Sequence, residues 1–223
     1  MKPPRVERLT LPGPAGPLEA LVETPAGDAA GAAPSGTPAA FGVVCHPHPL
    51  HGGTLDNKVV YTLARAFLEC GAPAIRFNFR GVGTSSGRYD EGRGETADAL
   101  AAIAFGRHRW PGAALWLAGF SFGAAVALRA AQDATPEKLV VVSPGITRVT
   151  MGGVASPRCR WLLVQGDADE VIDSAAVLQW GHRQSTAPGI GPDIRVFPGG
   201  GHFFHGRLNE LRQVVVQFMT SRD

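Results

Sequence analysis

The chain has 223 residues, of which 44% are hydrophobic and 18% charged, and carries a net charge of +2. That length suits one domain spanning 1–223 with a sizeable core, and the composition excludes the low-hydrophobicity, high-charge signature of a disordered chain. The basic pairs, Arg107 with Arg109 and Arg158 with Arg160, are too sparse for a nucleic-acid-binding stripe.

The opening "MKPPRVERLTLPGP" has prolines and charges where a secretory signal needs a continuous apolar core, and no later run reaches the length of a membrane span. The expectation is a cytoplasmic protein without a membrane or nucleic-acid partner, monomeric or homodimeric. "VERLTL" (6–11) and "LEALVET" (18–24) flank the proline-glycine connection "PGPAGP", which predicts an antiparallel pair. Residues 25–40, small and proline-rich, read as a flexible surface loop. Six further apolar runs follow: "FGVVCH" (41–46), "PAIRFNF" (73–79), "ALWLAG" (114–119), "KLVVVS" (138–143), "RWLLVQ" (160–165) and "DIRVFP" (193–198). Several are continuously apolar, as strands buried on both faces of a parallel sheet should be. Between them lie helical patterns at 56–71, 94–108, 122–133, 173–185 and 207–219. The first sets Val59, Leu63, Ala66 and Phe67 on one face and stops at Gly71. The alternation predicts a three-layer α/β sandwich around a mostly parallel, eight-stranded sheet.

Cys45, Cys70 and Cys159 lack metal-site or CxxC spacing and read as buried free thiols. The chemistry turns on a motif that occurs twice. G-x-S-x-G marks a nucleophile elbow, and both Gly83-Thr84-Ser85-Ser86-Gly87 and Gly119-Phe120-Ser121-Phe122-Gly123 fit it. Ser121 stands between a strand and a helix, with glycines where a side chain would collide with backbone, and the helix N-terminus favours developing negative charge. Ser85 lies within "RGVGTSSGRYDEGRG" (80–94), a polar, glycine-rich stretch with no immediate helix, which reads as a flexible loop.

A serine hydroxyl needs a base. His202 closes "PGGGH" at the end of the last strand, where active sites of such sheets lie, whereas His205 reads as a partly exposed residue before the final helix. The acid should leave the preceding strand, in "WLLVQGDADEVID". Asp173 is placed to cap the next helix; of the others, Asp169 is preferred to Asp167 because it lies further into the loop. In "CHPHPLHGG" (45–53), Pro47 and Pro49 have no N–H, so His48 is the rigidly held amide for an oxyanion, beside that of Phe122. His46 reads as a structural residue bonding loop backbone, and prolines between the histidines disfavour a metal site.

"CHPHPLHGGTLDNKVV", "RFNFRGVGTSSG", "LAGFSFGA", "QGDADEVI" and "GHFFH" together resemble the α/β-hydrolase superfamily over nearly the whole chain, in particular small lidless bacterial serine hydrolases related to dienelactone hydrolases. The resemblance implies a triad of Ser121, Asp169 and His202, with no cofactor and no metal. It also implies that the Ser85 loop shapes the fold near the site without taking part in catalysis. The short connection from Ser143 to Cys159, where lids are usually inserted, implies an open site lined by Phe120, Phe122, Phe203 and His51. The resulting expectation is a carboxylesterase for small to medium acyl esters. A thioesterase, acyltransferase or peptidase would use the same triad, and a ligand-binding protein without catalysis is the reading from another class.

Overall fold

The computed structural model describes residues 3–26, 37–146, 154–184 and 191–221. Eight strands form one sheet: β1 (Arg5–Leu11), β2 (Leu18–Thr24), β3 (Ala40–Cys45), β4 (Ala74–Phe77), β5 (Ala114–Phe120), β6 (Lys138–Val142), β7 (Arg160–Gly166) and β8 (Pro192–Phe197). Their order across the sheet is β1-β2-β4-β3-β5-β6-β7-β8. β1 pairs antiparallel with β2, and β2 antiparallel with β4; every later pairing is parallel. The expected initial hairpin and mostly parallel eight-stranded sheet are both present. Residues 27–36, most of the expected surface loop, lie outside the described residues.

Among the described residues five α-helices cover the sheet: α1 (Lys58–Glu69), α2 (Arg93–Arg109), α3 (Phe122–Ala134), α4 (Ser174–Arg183) and α5 (Leu208–Thr220). The side-chain period of two along each strand sorts residues into two cores. Trp116, Ala118 and Phe120 of β5 join Val59, Leu63 and Phe67 of α1 and Leu211, Val215 and Phe218 of α5. Leu115 and Leu117 point the other way, into a core with Ala99 and Ile103 of α2, Val126 and Leu128 of α3, and Val177 of α4. These are the expected three layers. Caps fix where helices begin: Asn57 accepts from the N–H groups of Val59 and Val60, and Asp173 from that of Ala176, as expected for Asp173. Gly71, just past α1, takes a left-handed φ of 83°.

Chain order along the sheet reverses at β3, since β4 lies on one side of it and β5 on the other. A crevice for ligands opens outside the carboxyl ends of the strands at such a point. The loops that follow β3 and β5 are the histidine-proline segment and the Ser121 turn.

Candidate active site

Ser121 separates β5 from α3 with φ 57° and ψ −118°, a conformation non-glycine residues rarely adopt and one that costs about 1–3 kcal/mol. The turn is possible only because the residues two positions to either side, Gly119 and Gly123, lack side chains. A Cβ on Gly119 would lie 2.2 Å from the Gly123 carbonyl oxygen, and one on Gly123 would lie 2.3 Å from that of His46. The Ser121 N–H donates to the Val142 carbonyl at 2.9 Å, and its own carbonyl accepts from Gly145 at 3.0 Å, so β6 and the loop after it brace the turn.

The hydroxyl of Ser121 lies 3.1 Å from Nε2 of His202, whose Nδ1 lies 2.8 Å from Oδ2 of Asp169. A carboxylate only accepts, so Nδ1 carries the ring proton and Nε2 is left as the acceptor for the Ser121 O–H. Both residues beside the hydroxyl are withdrawn from solvent: the side chains of His202 and Asp169 are 3% and 0% exposed. Burial pushes the Asp169 carboxyl up. Its bonds from His202 and from the N–H groups of Ile172 and Val171 outweigh that and hold it below the usual carboxylate range. Gln165 adds an Nε2 donor at 3.2 Å. The structure thus brings together the three expected residues, from three strand ends. Asp167 lies elsewhere, with Oδ1 accepting from the Gly199 N–H at 2.6 Å. His205 is exposed, as expected.

Opposite this chain, Pro49–His51 forms a single 3-10 turn. The His48 carbonyl accepts from His51 and Gly53, both at 3.0 Å, and the His48 ring accepts from the Leu50 N–H at 3.2 Å. That ring stacks on His51 at 4.4 Å and also meets Tyr89 and Phe122, both at 5.0 Å. The Phe122 N–H opens α3, where no preceding helical carbonyl is available to it. His46 is in the core: its Nδ1 bonds the Pro47 carbonyl at 2.7 Å and its Nε2 accepts from Phe79 at 3.0 Å, as expected of a structural histidine. Burial pulls its pKa down to about 4, so it is neutral. Among the described residues no three His, Cys, Asp or Glu side chains converge as a metal site would need.

A cavity of about 140 Å³ joins the two sides, with Ser121, His202, His48, His51, Phe122 and Phe203 in its wall. Asn57, Gly145, Val171 and Ile172 also line it. Sequence reasoning did not single these out, although Val171 and Ile172 directly follow the acid loop. A larger cavity of about 240 Å³, beside Thr135 and Cys159, holds none of the expected residues.

Three expectations need correction. Phe120 does not line the cavity: it is fully buried, with its ring 4.8 Å from that of His202. Strand parity sends it into the α1/α5 core, and only the turn at Ser121 redirects the chain. The Ser85 segment is no loose loop: Ser85 is 7% exposed, its hydroxyl donates to the Asn78 carbonyl at 2.8 Å and accepts from the Glu19 N–H at 2.9 Å. Of the cysteines, only Cys45 is fully buried, and burial raises its thiol far from thiolate formation. Cys70 and Cys159 are half-buried, each pushed up to about 11.

A family model described as the α/β-hydrolase fold matches residues 50–157. The chain is 41% identical to an α/β serine hydrolase homologue from Coxiella burnetii, covering 95% of this chain and 96% of that one with a TM-score of 0.85. It is 38% identical to a lidless α/β serine hydrolase from Xanthomonas campestris, covering 100% and 98%, with a TM-score of 0.86. An uncharacterized protein of Rickettsia prowazekii is 31% identical over 190 residues, 82% of this chain and 79% of its own.

Proposed function

The chain belongs to the α/β-hydrolase superfamily, and from that premise we propose that it is a serine carboxylesterase for small to medium acyl esters. One observation carries the reading: the Ser121 hydroxyl, on a strained turn, faces the free nitrogen of a histidine whose other nitrogen is held by a buried carboxylate. In this reading Ser121 Oγ attacks the ester carbonyl while His202 Nε2 takes its proton. Asp169 holds the tautomer and stabilises the imidazolium. The N–H groups of Phe122 and His48 receive the oxyanion, each worth about 2.7–4 kcal/mol in the transition state. His202 then gives its proton to the leaving alkoxide, the alcohol departs, and the acyl-enzyme is opened by a water that His202 deprotonates.

The size and chemistry of the cavity support the substrate class. At about 140 Å³ it is well below the roughly 300–1,000 Å³ of drug-sized pockets. Among the described residues no Lys, Arg, Asp or Glu is in its wall, which suits an uncharged acyl group. Only residues 143–159 connect β6 to β7, which leaves little chain for a cover.

The test is hydrolysis of p-nitrophenyl esters from acetate to octanoate by the wild type, Ser121→Ala and Ser85→Ala. Activity should favour the short esters, vanish with Ser121→Ala and survive Ser85→Ala. If wild type is inert while Ser121 still takes up a fluorophosphonate, the ester assignment fails and thioesters or amides take its place. Inertness to both would favour the ligand-binding reading.

A further inference from the structure

Three consecutive glycines, Gly199 to Gly201, carry the chain from β8 to His202. Glycine has the most adaptable backbone, so an imidazole at the end of such a run does not hold its place unaided. The fastenings come from the loop after β7. The Ala168 N–H donates to the Gly200 carbonyl at 3.1 Å, and the Gly199 N–H to Asp167 Oδ1 at 2.6 Å. The fastening nearest the imidazole is a side chain: the His202 N–H donates to Glu170 Oε2 at 3.0 Å.

Glu170 itself is exposed, so it makes this bond with solvent as the alternative. The His202 N–H is the main reason its carboxyl lies below the usual range, with its own N–H second; it is therefore an ionised acceptor at neutral pH. Its position is matched to the glycine run, since a Cβ on Gly201 would lie 2.9 Å from Glu170 Oε2. Two adjacent carboxylates thus grip one histidine at different points. Asp169 holds the ring at Nδ1 and Glu170 holds the main chain, while the rings of Phe120 and Phe203 lie 4.8 and 5.0 Å from the imidazole.

We propose that Glu170 is a positioning residue for His202, fixing through the His202 N–H the distance between Nε2 and the Ser121 hydroxyl. The proposal rests on the triad reading above. It requires an acceptor at this place and not a charge, so glutamine should serve where alanine fails. A displacement of the imidazole acts on the proton transfer and leaves the cavity wall unchanged, so kcat should fall with KM little altered.

The experiment compares Glu170→Ala, Glu170→Gln, Gly201→Ala, Asp167→Ala and Ser121→Ala on p-nitrophenyl acetate, with thermal melts of each. Glu170→Ala should lower kcat about tenfold with KM within about twofold, and Glu170→Gln should restore kcat to within about threefold of wild type. Gly201→Ala should also slow the enzyme, and add little on top of Glu170→Ala, because its clash partner is then gone. Asp167→Ala, which frees the far end of the glycine run, should stay within about twofold. The proposal is overturned if Glu170→Ala keeps wild-type kcat while Ser121→Ala is inactive, if alanine and glutamine are equally slow, or if Asp167→Ala costs as much. If Glu170→Ala melts too low to assay, Gly201→Ala and Glu170→Gln still decide the matter through the same contact. Full activity in Ser121→Ala is a different failure, that of the triad reading itself.

Discussion

Gly83-Thr84-Ser85-Ser86-Gly87 and Gly119-Phe120-Ser121-Phe122-Gly123 share a pattern, and burial does not separate them: Ser85 is 7% exposed and Ser121 8%. Their hydroxyls differ in what they face. That of Ser85 donates to one backbone carbonyl and accepts from one backbone N–H, so its bonding is spent on joining the start of β2 to the end of β4. That of Ser121 faces a ring nitrogen that can take its proton. Their backbones differ too, because only Ser121 is held at positive φ. A nucleophile motif is therefore decided by the partners of the hydroxyl and by the strain that lifts it out of the strand, and neither is encoded in five letters.

The sharpest way to break this contrast is to remove each hydroxyl in turn. Ser121→Ala should lower kcat about a millionfold, because members of such a triad act as a unit. Its melting temperature should change little, since alanine carries the same Cβ through the same turn and the backbone bonds of residue 121 to Val142 and Gly145 remain. Comparable residual turnover in Ser121→Ala and wild type would sink the assignment. Next in size, Asp169→Asn should cost about 10⁴ in kcat by presenting the wrong partner to His202 Nδ1. No residue plays that part for Ser85, so a similar loss from replacing Asn78 or Glu19 would erase the distinction.

Much of this contrast was legible in the sequence, and the parts that were not share a cause. The alternation of apolar runs and helical stretches gave the layers, because burial on both faces leaves a strand no polar positions. The Ser121 turn was legible from a strand, two glycines and a helix in immediate succession, all local features. The packed state of the Ser85 loop was not, since its partner Glu19 is 66 residues away. Set beside Ser121 just as Phe122 is, Phe120 nevertheless packs away from the cavity. The period of two through Trp116, Ala118 and Phe120 already assigned it to the α1/α5 core. Sheet order, and the pairing of Glu170 with the His202 N–H, depend on contacts between strand ends that no local pattern reports.

His46 joins the two regions, which makes acid a probe of both at once. Its carbonyl lies under Gly123 of the reactive turn, and its Nε2 accepts from Phe79 at the head of the Ser85 loop. With its pKa pulled down to about 4 from 6.5, the folded chain refuses a proton that the unfolded chain takes between those values. Stability conferred by the neutral ring is complete above pH 6.5 and is lost as pH falls through that window, by about 3 kcal/mol in total. Urea unfolding at pH 7 and pH 4.5 should show this loss in wild type and a shallower dependence in His46→Gln. Equal slopes would assign the acid sensitivity to other groups.

The smallest effect isolates the Ser85 region alone. Ser85→Ala leaves the Glu19 N–H and the Asn78 carbonyl without their shared partner in a buried site, which should cost about 1–3 kcal/mol of stability. Activity at 25 °C should stay within about threefold of wild type, because the rings by which this loop meets the cavity wall, Tyr89 against both His48 and Phe122, and Phe79 against Phe122, keep their contacts. Ser85→Thr keeps the hydroxyl and should recover part of the lost stability, whereas Ser121→Thr keeps its hydroxyl on a β-branched residue that positive φ disfavours and should remain slow. The two threonine variants turn the comparison into one measurement: the same added methyl group is tolerated where serine serves as a backbone clasp and not where it must be delivered at a strained angle.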